Sequence, residues 1–307
     1  MNFQLLPAAQ PFLKGHGAQN DFILLPDPDH RLALTAEEIR RLCDRRTGLG
    51  ADGLLRAVRT AADPEAAAMA GEAEWFMDYR NPDGSRAAMC GNGIRVFARY
   101  LIDGELVPPG TIPIATRAGV RHVRVPERRP DSQGPVTVLM GTPRLPGPGH
   151  IKVAVGRRRW PALHIDMGNP HAVVLLDDLD HAGDLRTPPT VTPASAYPHG
   201  VTVSFVRLRS ARHLQVRVHE RGVGETRACG TGACASVAAV RHADNRQEAG
   251  PGRYTVDLAG GRLHVTVTSG GAMELTGPAE IVAQGGLTLT PADPPRPWAR
   301  WSAPCPT

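Results

Sequence analysis

Lysine is nearly missing from this 307-residue chain: Lys14 and Lys152 are its whole complement, against 33 arginines. That scarcity leaves little room for a Schiff-base enzyme built on pyridoxal phosphate, and no G-x-x-x-x-G-K-[ST] loop offers to cradle a phosphate. No stretch approaches the roughly 20 consecutive apolar residues that span a bilayer, and the opening MNFQLLPAAQPFLKGHG lacks a charged region followed by an apolar core. A cytoplasmic protein with no membrane partner is expected. Aromatics make up only 5% of the chain, and the densest basic run, Arg157-Arg158-Arg159, has no interleaved rings on which bases would stack. The net charge of +5 is spread out, so that run reads as a solvated hairpin tip and nucleic acid is not an expected partner. Five cysteines without a C-x-x-C pair argue against a disulfide framework and against a structural zinc site, and no metal is expected.

What is present is a globular composition, 41% hydrophobic and 21% charged, in a chain long enough for two domains. Most of it reads as short strands: Val201, Val203 and Phe205 share one face, and Val216 and Val218 lie opposite Arg217 and His219. RYTVDL-AGG-RLHVTVTS predicts a hairpin in which Gly260 and Gly261 supply positive φ. TAEEIRRLCDRR predicts a helix capped by Thr35, with Glu38 at capping-box spacing and Cys43 in the core. AADPEAAAMAGEAEW reads as an exposed insertion, and the proline-rich end, with Cys305, as a loose tail.

One device occurs twice. CGNGIRVFARYL from Cys90 and CGTGACASVAAVRHA from Cys229 are each Cys-Gly-x-Gly opening a helix. Ile94, Phe97, Ala98 and Leu101 form the apolar face of the first helix, and Ala233, Val237 and Val240 that of the second. The first N–H groups of a helix lack intrahelical partners and carry the positive end of its dipole, so such a start attracts anions and favours a thiolate. If two such starts face each other, their N–H groups can hold one carboxylate with a thiol on either side of the attached α-carbon. One thiolate then removes the α-hydrogen while the other thiol protonates the opposite face, and the stereocentre inverts without a cofactor. A lone cysteine in a glycine-rich turn is ordinarily structural; the matched pair is what points to chemistry. Cys234 reads as core.

At these residues the chain resembles the diaminopimelate epimerase family from about Phe12 to Leu287, through HGAQNDF, LCDRRTGLGADG, YRNPDGSRAAMCGNGIR, HIDMGNPHAVV and HERGVGETRACGTGACAS. The resemblance implies an α/β (α+β) fold of two pseudo-symmetric domains, each a mixed, barrel-like sheet around a central helix, with a cleft that closes over substrate. The halves fall at residues 1–131 plus 278–290, carrying Cys90, and 132–277, carrying Cys229, with a tail over 291–307. It implies interconversion of LL- and meso-diaminopimelate, on the way to lysine and peptidoglycan precursors. Cys90, Cys229, Glu220 and His171 match its catalytic positions. Gly91, Asn92, Gly230 and Thr231 match positions whose N–H groups receive the α-carboxylate. Asn20, Asn81, Asn169 and Arg221 match positions that bind the distal amino acid, where Arg221 can fork to a carboxylate. Two positions depart from the family: Thr202 stands where an Asn is usual, offering one donor where an amide offers two, and Gly53 where some members carry a Gln.

The expected partner is a small amino-acid substrate, and a homodimer stays open. A proline or hydroxyproline epimerase is the nearest rival, although a small ring has little use for three asparagines and an arginine. From other classes, a thiol redox switch would exchange disulfides without exchanging the α-proton, and a binding protein would hold the ligand without deuterium incorporation.

Overall fold

The alternation seen along the chain becomes sheet almost throughout. The structure, a computed structural model, describes residues 9–127, 134–145, 149–243 and 250–287. The expected tail with Cys305 lies outside the described residues. The first strands are β1 (Gln10–Gly17), β2 (Asn20–Pro26), β3 (Gly53–Arg59), β4 (Trp75–Arg80), β5 (Gly110–Ala115), β6 (Arg121–Val125) and β7 (Val136–Gly141). The next are β8 (Ile151–Val155), β9 (Arg158–Asp166), β10 (Pro170–Leu175), β11 (Thr190–Thr192), β12 (Thr202–Ser210), β13 (His213–Glu220) and β14 (Gly224–Thr226). The last are β15 (Gly252–Leu258), β16 (Gly261–Val267), β17 (Met273–Gly277) and β18 (Glu280–Leu287). Among the described residues three α-helices accompany them: α1 (Ala36–Cys43), α2 (Gly91–Asp103) and α3 (Gly230–Ala243).

The pairing order repeats. From β1 to β7 successive neighbours are antiparallel, parallel, antiparallel, parallel, antiparallel and antiparallel. The series β9, β10, β12, β13, β15, β16, β17 runs through the same six relations. In each series the long helix is the crossover between the second parallel pair, α2 between β4 and β5 and α3 between β13 and β15. Each helix is wrapped by its own strands: α2 packs on β1 to β4, β6, β7 and β18, and α3 on β9, β10, β12, β13, β16 and β17. β7 joins the two courses through β17, and β18 returns to pair with β1.

Because strands surround them, α2 and α3 are buried on nearly every side rather than on one stripe; Arg95 and Arg99 of α2 are as inaccessible as Ile94 and Phe97. The capping box of α1 forms as expected, with Thr35 Oγ1 accepting from the Glu38 N–H and Glu38 accepting from the Thr35 N–H. Arg157 to Arg159 are exposed at the β8–β9 turn.

The insertion before Trp75 is exposed over most of its length, as expected, and is anchored as well: Ala66 and Ala73 are buried with Val58, Phe76 and Ala115, because an Ala-rich segment can lie flat on an apolar face. One local expectation is corrected. In the β15–β16 hairpin only Gly261 takes positive φ, at 136°. Gly260 is required by proximity instead, since a Cβ there would lie 2.1 Å from the Ala18 carbonyl oxygen.

Candidate active site

Both cysteines occupy the residue just before a buried helix. Cys90 is extended, at φ −135° and ψ 124°, and caps α2: its Sγ accepts the Gly93 N–H at 3.4 Å and its carbonyl accepts the Ile94 N–H at 2.9 Å. Cys229 does the same for α3, accepting from Gly232 N at 3.3 Å through sulfur and from Ala233 N at 2.9 Å through oxygen. The two helix starts meet. A Cβ on Gly91 would be 3.5 Å from Gly230 Cα, and one on Gly230 3.4 Å from Gly91 Cα, so glycine at both positions allows the approach. The N–H groups of Gly91, Asn92, Gly230 and Thr231 stand in the first turns of these adjoining helices, at positions that have no intrahelical acceptor.

Asn92 binds the two starts together. Its Nδ2 donates to Asn20 Oδ1 at 3.0 Å and to the carbonyl of Ala228, the residue before Cys229, at 2.9 Å. Asn20 Oδ1 also lies 3.7 Å from Cys90 Sγ, and Asn20 Nδ2 donates to Asp52 at 2.8 Å. Cys229 Sγ is 3.5 Å from Thr231 Oγ1 and feels the charge of Glu220, which accepts from Thr226 Oγ1.

The expectation that these thiols ionise easily is corrected. Burial pushes Cys90 up to about 11, and the Glu220 charge pushes the same way, against the N–H groups of Gly93 and Asn92 and the charge of Arg95. Burial likewise pushes Cys229 well above the ordinary thiol value, seconded by Glu220. Glu220 is itself raised by burial. Helix-start donors are present as anticipated, but they are outweighed by the loss of water.

The remaining candidates divide. His171, on β10, is fully buried, shares a hydrogen bond of 3.2 Å between Nε2 and Asn169 Oδ1, and is held neutral by burial, its value lowered to about 4. It pairs in the sheet with Thr202 of β12, whose Oγ1 accepts the Arg221 N–H at 3.4 Å. Arg221 is exposed and donates to the His199 carbonyl at 3.2 Å. Asn81 is tied into the turn after β4, donating to Ser85 Oγ at 2.9 Å. Among the described residues no hydrogen bond joins the side chain of Asn81 or Arg221 to either thiol. At Gly53 an added Cβ would come within 2.9 Å of the Arg80 carbonyl, which accounts for glycine there. Arg95, Thr226 and Asp52 were not anticipated; the available signal was the charge of Arg95 and Arg99 on a helix whose other residues read largely as core.

Among the described residues no group of three or more His, Cys, Asp or Glu side chains could hold a metal ion, and no helix is long and apolar enough to cross a membrane. The doubled sheet-and-helix course has close counterparts in solved structures. A phenazine biosynthesis protein of the PhzF family from Bacillus anthracis superposes with a TM-score of 0.68 at 15% identity, covering 92% of this chain and 99% of its own. A hydroxyproline epimerase from Agrobacterium vitis, with bound trans-4-hydroxy-L-proline, gives 0.66 at 14% identity, covering 93% and 94%. In sequence, the diaminopimelate epimerase of Streptomyces coelicolor is 56% identical over 277 residues, 89% of this chain and 94% of that one. The protein is therefore an isomerase, of the class that inverts a carbon stereocentre. Matching over residues 12–146 and 163–282, the chain belongs to the diaminopimelate epimerase family.

Proposed function

We propose that the protein interconverts LL- and meso-diaminopimelate by moving a proton on and off the α-carbon with Cys90 and Cys229, in the reducing cytoplasm where both thiols stay free. The observation that carries this is the meeting of two cysteine-headed helix starts, whose Gly91 and Gly230 lie against each other. A substrate α-carboxylate fits the N–H groups of Gly91, Asn92, Gly230 and Thr231, which also receive the charge that grows as the α-proton leaves. The thiolate on one face takes the α-hydrogen, the thiol on the other gives its proton, and the two sulfurs end with their protonation exchanged. A thiol raised by burial makes a stronger base once ionised, which suits a weakly acidic C–H. Glu220, the charge that acts most strongly on Cys229, is the resident acceptor for the proton that must leave that sulfur. His171, neutral and packed against Asn169, orders the wall of the site, and Asn20, Asn81, Asn169, Thr202 and Arg221 read the distal ammonium and carboxylate.

The test is incubation with LL- and with meso-diaminopimelate in heavy water under reductant, followed by chiral analysis. Deuterium should enter the α-position with inversion. Cys229→Ala should lose turnover altogether, and Cys229→Ser should keep no more than a trace, since a hydroxyl is a far weaker acid. Unchanged turnover in Cys229→Ala refutes the two-thiol scheme, and preferential turnover of hydroxyproline would reassign the substrate.

A further inference from the structure

Arg95 is wholly inaccessible, yet it has no carboxylate partner among the described residues. Its guanidinium donates through Nε to the Pro278 carbonyl at 3.2 Å, through Nη1 to the Gly91 carbonyl at 3.0 Å and through Nη2 to Asn92 Oδ1 at 2.8 Å. The slot that holds it is shaped by glycine on two other elements: a Cβ on Gly17 would stand 3.1 Å from Nη2, and one on Gly277 3.2 Å. A buried cation answered only by neutral acceptors is costly, and an apolar side chain would pack such a slot more cheaply. The group remains charged at neutral pH, lowered by burial only to about 10, and the ionisable groups it acts on are the thiols of Cys90 and Cys234.

The same guanidinium decides how Asn92 stands. With Asn92 Oδ1 held by Nη2, the amide's NH2 must face Asn20 Oδ1 and the Ala228 carbonyl, the two acceptors beside the two catalytic cysteines. We propose that Arg95 is a positioning residue of this site: it locks the Asn92 carboxamide that ties the Cys90 helix start to the Cys229 helix start, and its fixed charge favours the thiolate of Cys90. The proposal deepens the epimerase reading and rests on it. Among the described residues, the ionisable groups that act on Cys90 include Arg95 on its own helix, Tyr79 on β4, Glu220 on β13 and Cys229 at the head of α3. Arg95 is the cation of that set.

Alkylation of Cys90 by iodoacetamide between about pH 7 and about pH 10, followed peptide by peptide in the mass spectrometer, tests the charge without substrate. Arg95→Met should slow Cys90 alkylation about tenfold at neutral pH, one pKa unit, whereas Arg95→Lys, which keeps the charge, should slow it less than about threefold. Lysine lacks the planar fork, so Arg95→Lys should lower kcat for diaminopimelate about tenfold while KM moves less than about twofold. A folded Arg95→Met whose Cys90 reacts at the parental rate overturns the proposal, as does a parental kcat in Arg95→Lys. Should Arg95→Met fail to show a melting transition, Arg95→Lys decides alone. If the parent protein itself turns over no diaminopimelate while the alkylation response appears, the substrate reading fails and the Arg95 coupling stands.

Discussion

His171 shows how much burial changes a side chain whose surroundings a motif only hints at. Its folded-state value is near 4 against an ordinary 6.5, with desolvation the leading cause. The unfolded chain therefore takes up a proton as pH falls below 6.5, while the folded protein resists until about 4. Its contribution is complete above that window and is lost on acidification, by about 3 kcal/mol over the full shift. We expect His171→Gln to flatten the acid limb of a urea-stability curve by about that amount, leaving the smaller slope due to His164, His219 and His264, which burial also lowers. Superimposable curves for variant and parent would show that His171 does not govern acid stability. Cys90 and Cys229 teach the complementary lesson. Their identity and spacing are plain in the sequence; their reluctance to ionise is not, because it comes from strands and helices packed around them from distant parts of the chain.

Arg56 joins four segments. It lies on β3 and donates to Asp78 of β4 at 3.0 Å, to Asp27 after β2 at 3.3 Å and to the Leu32 carbonyl at 2.6 Å, and stands 3.7 Å from Asp63 in the pinned insertion. Arg56 and the three aspartates are all buried. Removing the cation takes from buried Asp27 and Asp63 their guanidinium and from Asp78 one of three, so Arg56→Met should cost about 3–5 kcal/mol in urea unfolding. A loss under about 1 kcal/mol would mean that Arg80 and Arg117, which also hold Asp78, carry the cluster without it. The composition of the insertion is that of a surface loop, and most of it is exposed, but its anchoring was not legible, because Asp63 and two alanines find partners contributed by β3, β4 and β5. By contrast α1 was legible residue by residue, since a capping box and an apolar face of Ile39 and Leu42 are local properties.

The two courses of strands also meet away from the cysteines. The β1–β2 turn, Ala18 and Gln19 at φ 53° and 61°, lies under the tip of the β15–β16 hairpin. Gly260 N donates to the Arg227 carbonyl at 2.7 Å, and Arg227 reaches back to Gln19 Oε1 at 2.7 Å. Arg227 is two residues before Cys229, so this seam is continuous with the site. A Cβ at residue 260 would stand 2.1 Å from the Ala18 carbonyl oxygen and 2.9 Å from that of Arg227, both backbone atoms with no side-chain freedom. Gly260→Ala should therefore lose about 1–3 kcal/mol of stability and drive the courses apart, lowering kcat/KM about tenfold or more. Parental melting temperature and kcat/KM together would show a seam that yields freely.

The sequence alone determined the pair of Cys-Gly-x-Gly helix starts, the capping of α1, the hairpins and the membership of the chain, because each depends on residues close together or on a motif that stands whole. Only the tertiary structure decided the protonation of the thiols, the slot for Arg95, the anchoring of the insertion and the reason for glycine at position 260. Those depend on which atoms exclude water or touch after the chain has doubled back, and neither solvent exclusion nor contact across hundreds of residues leaves a local trace.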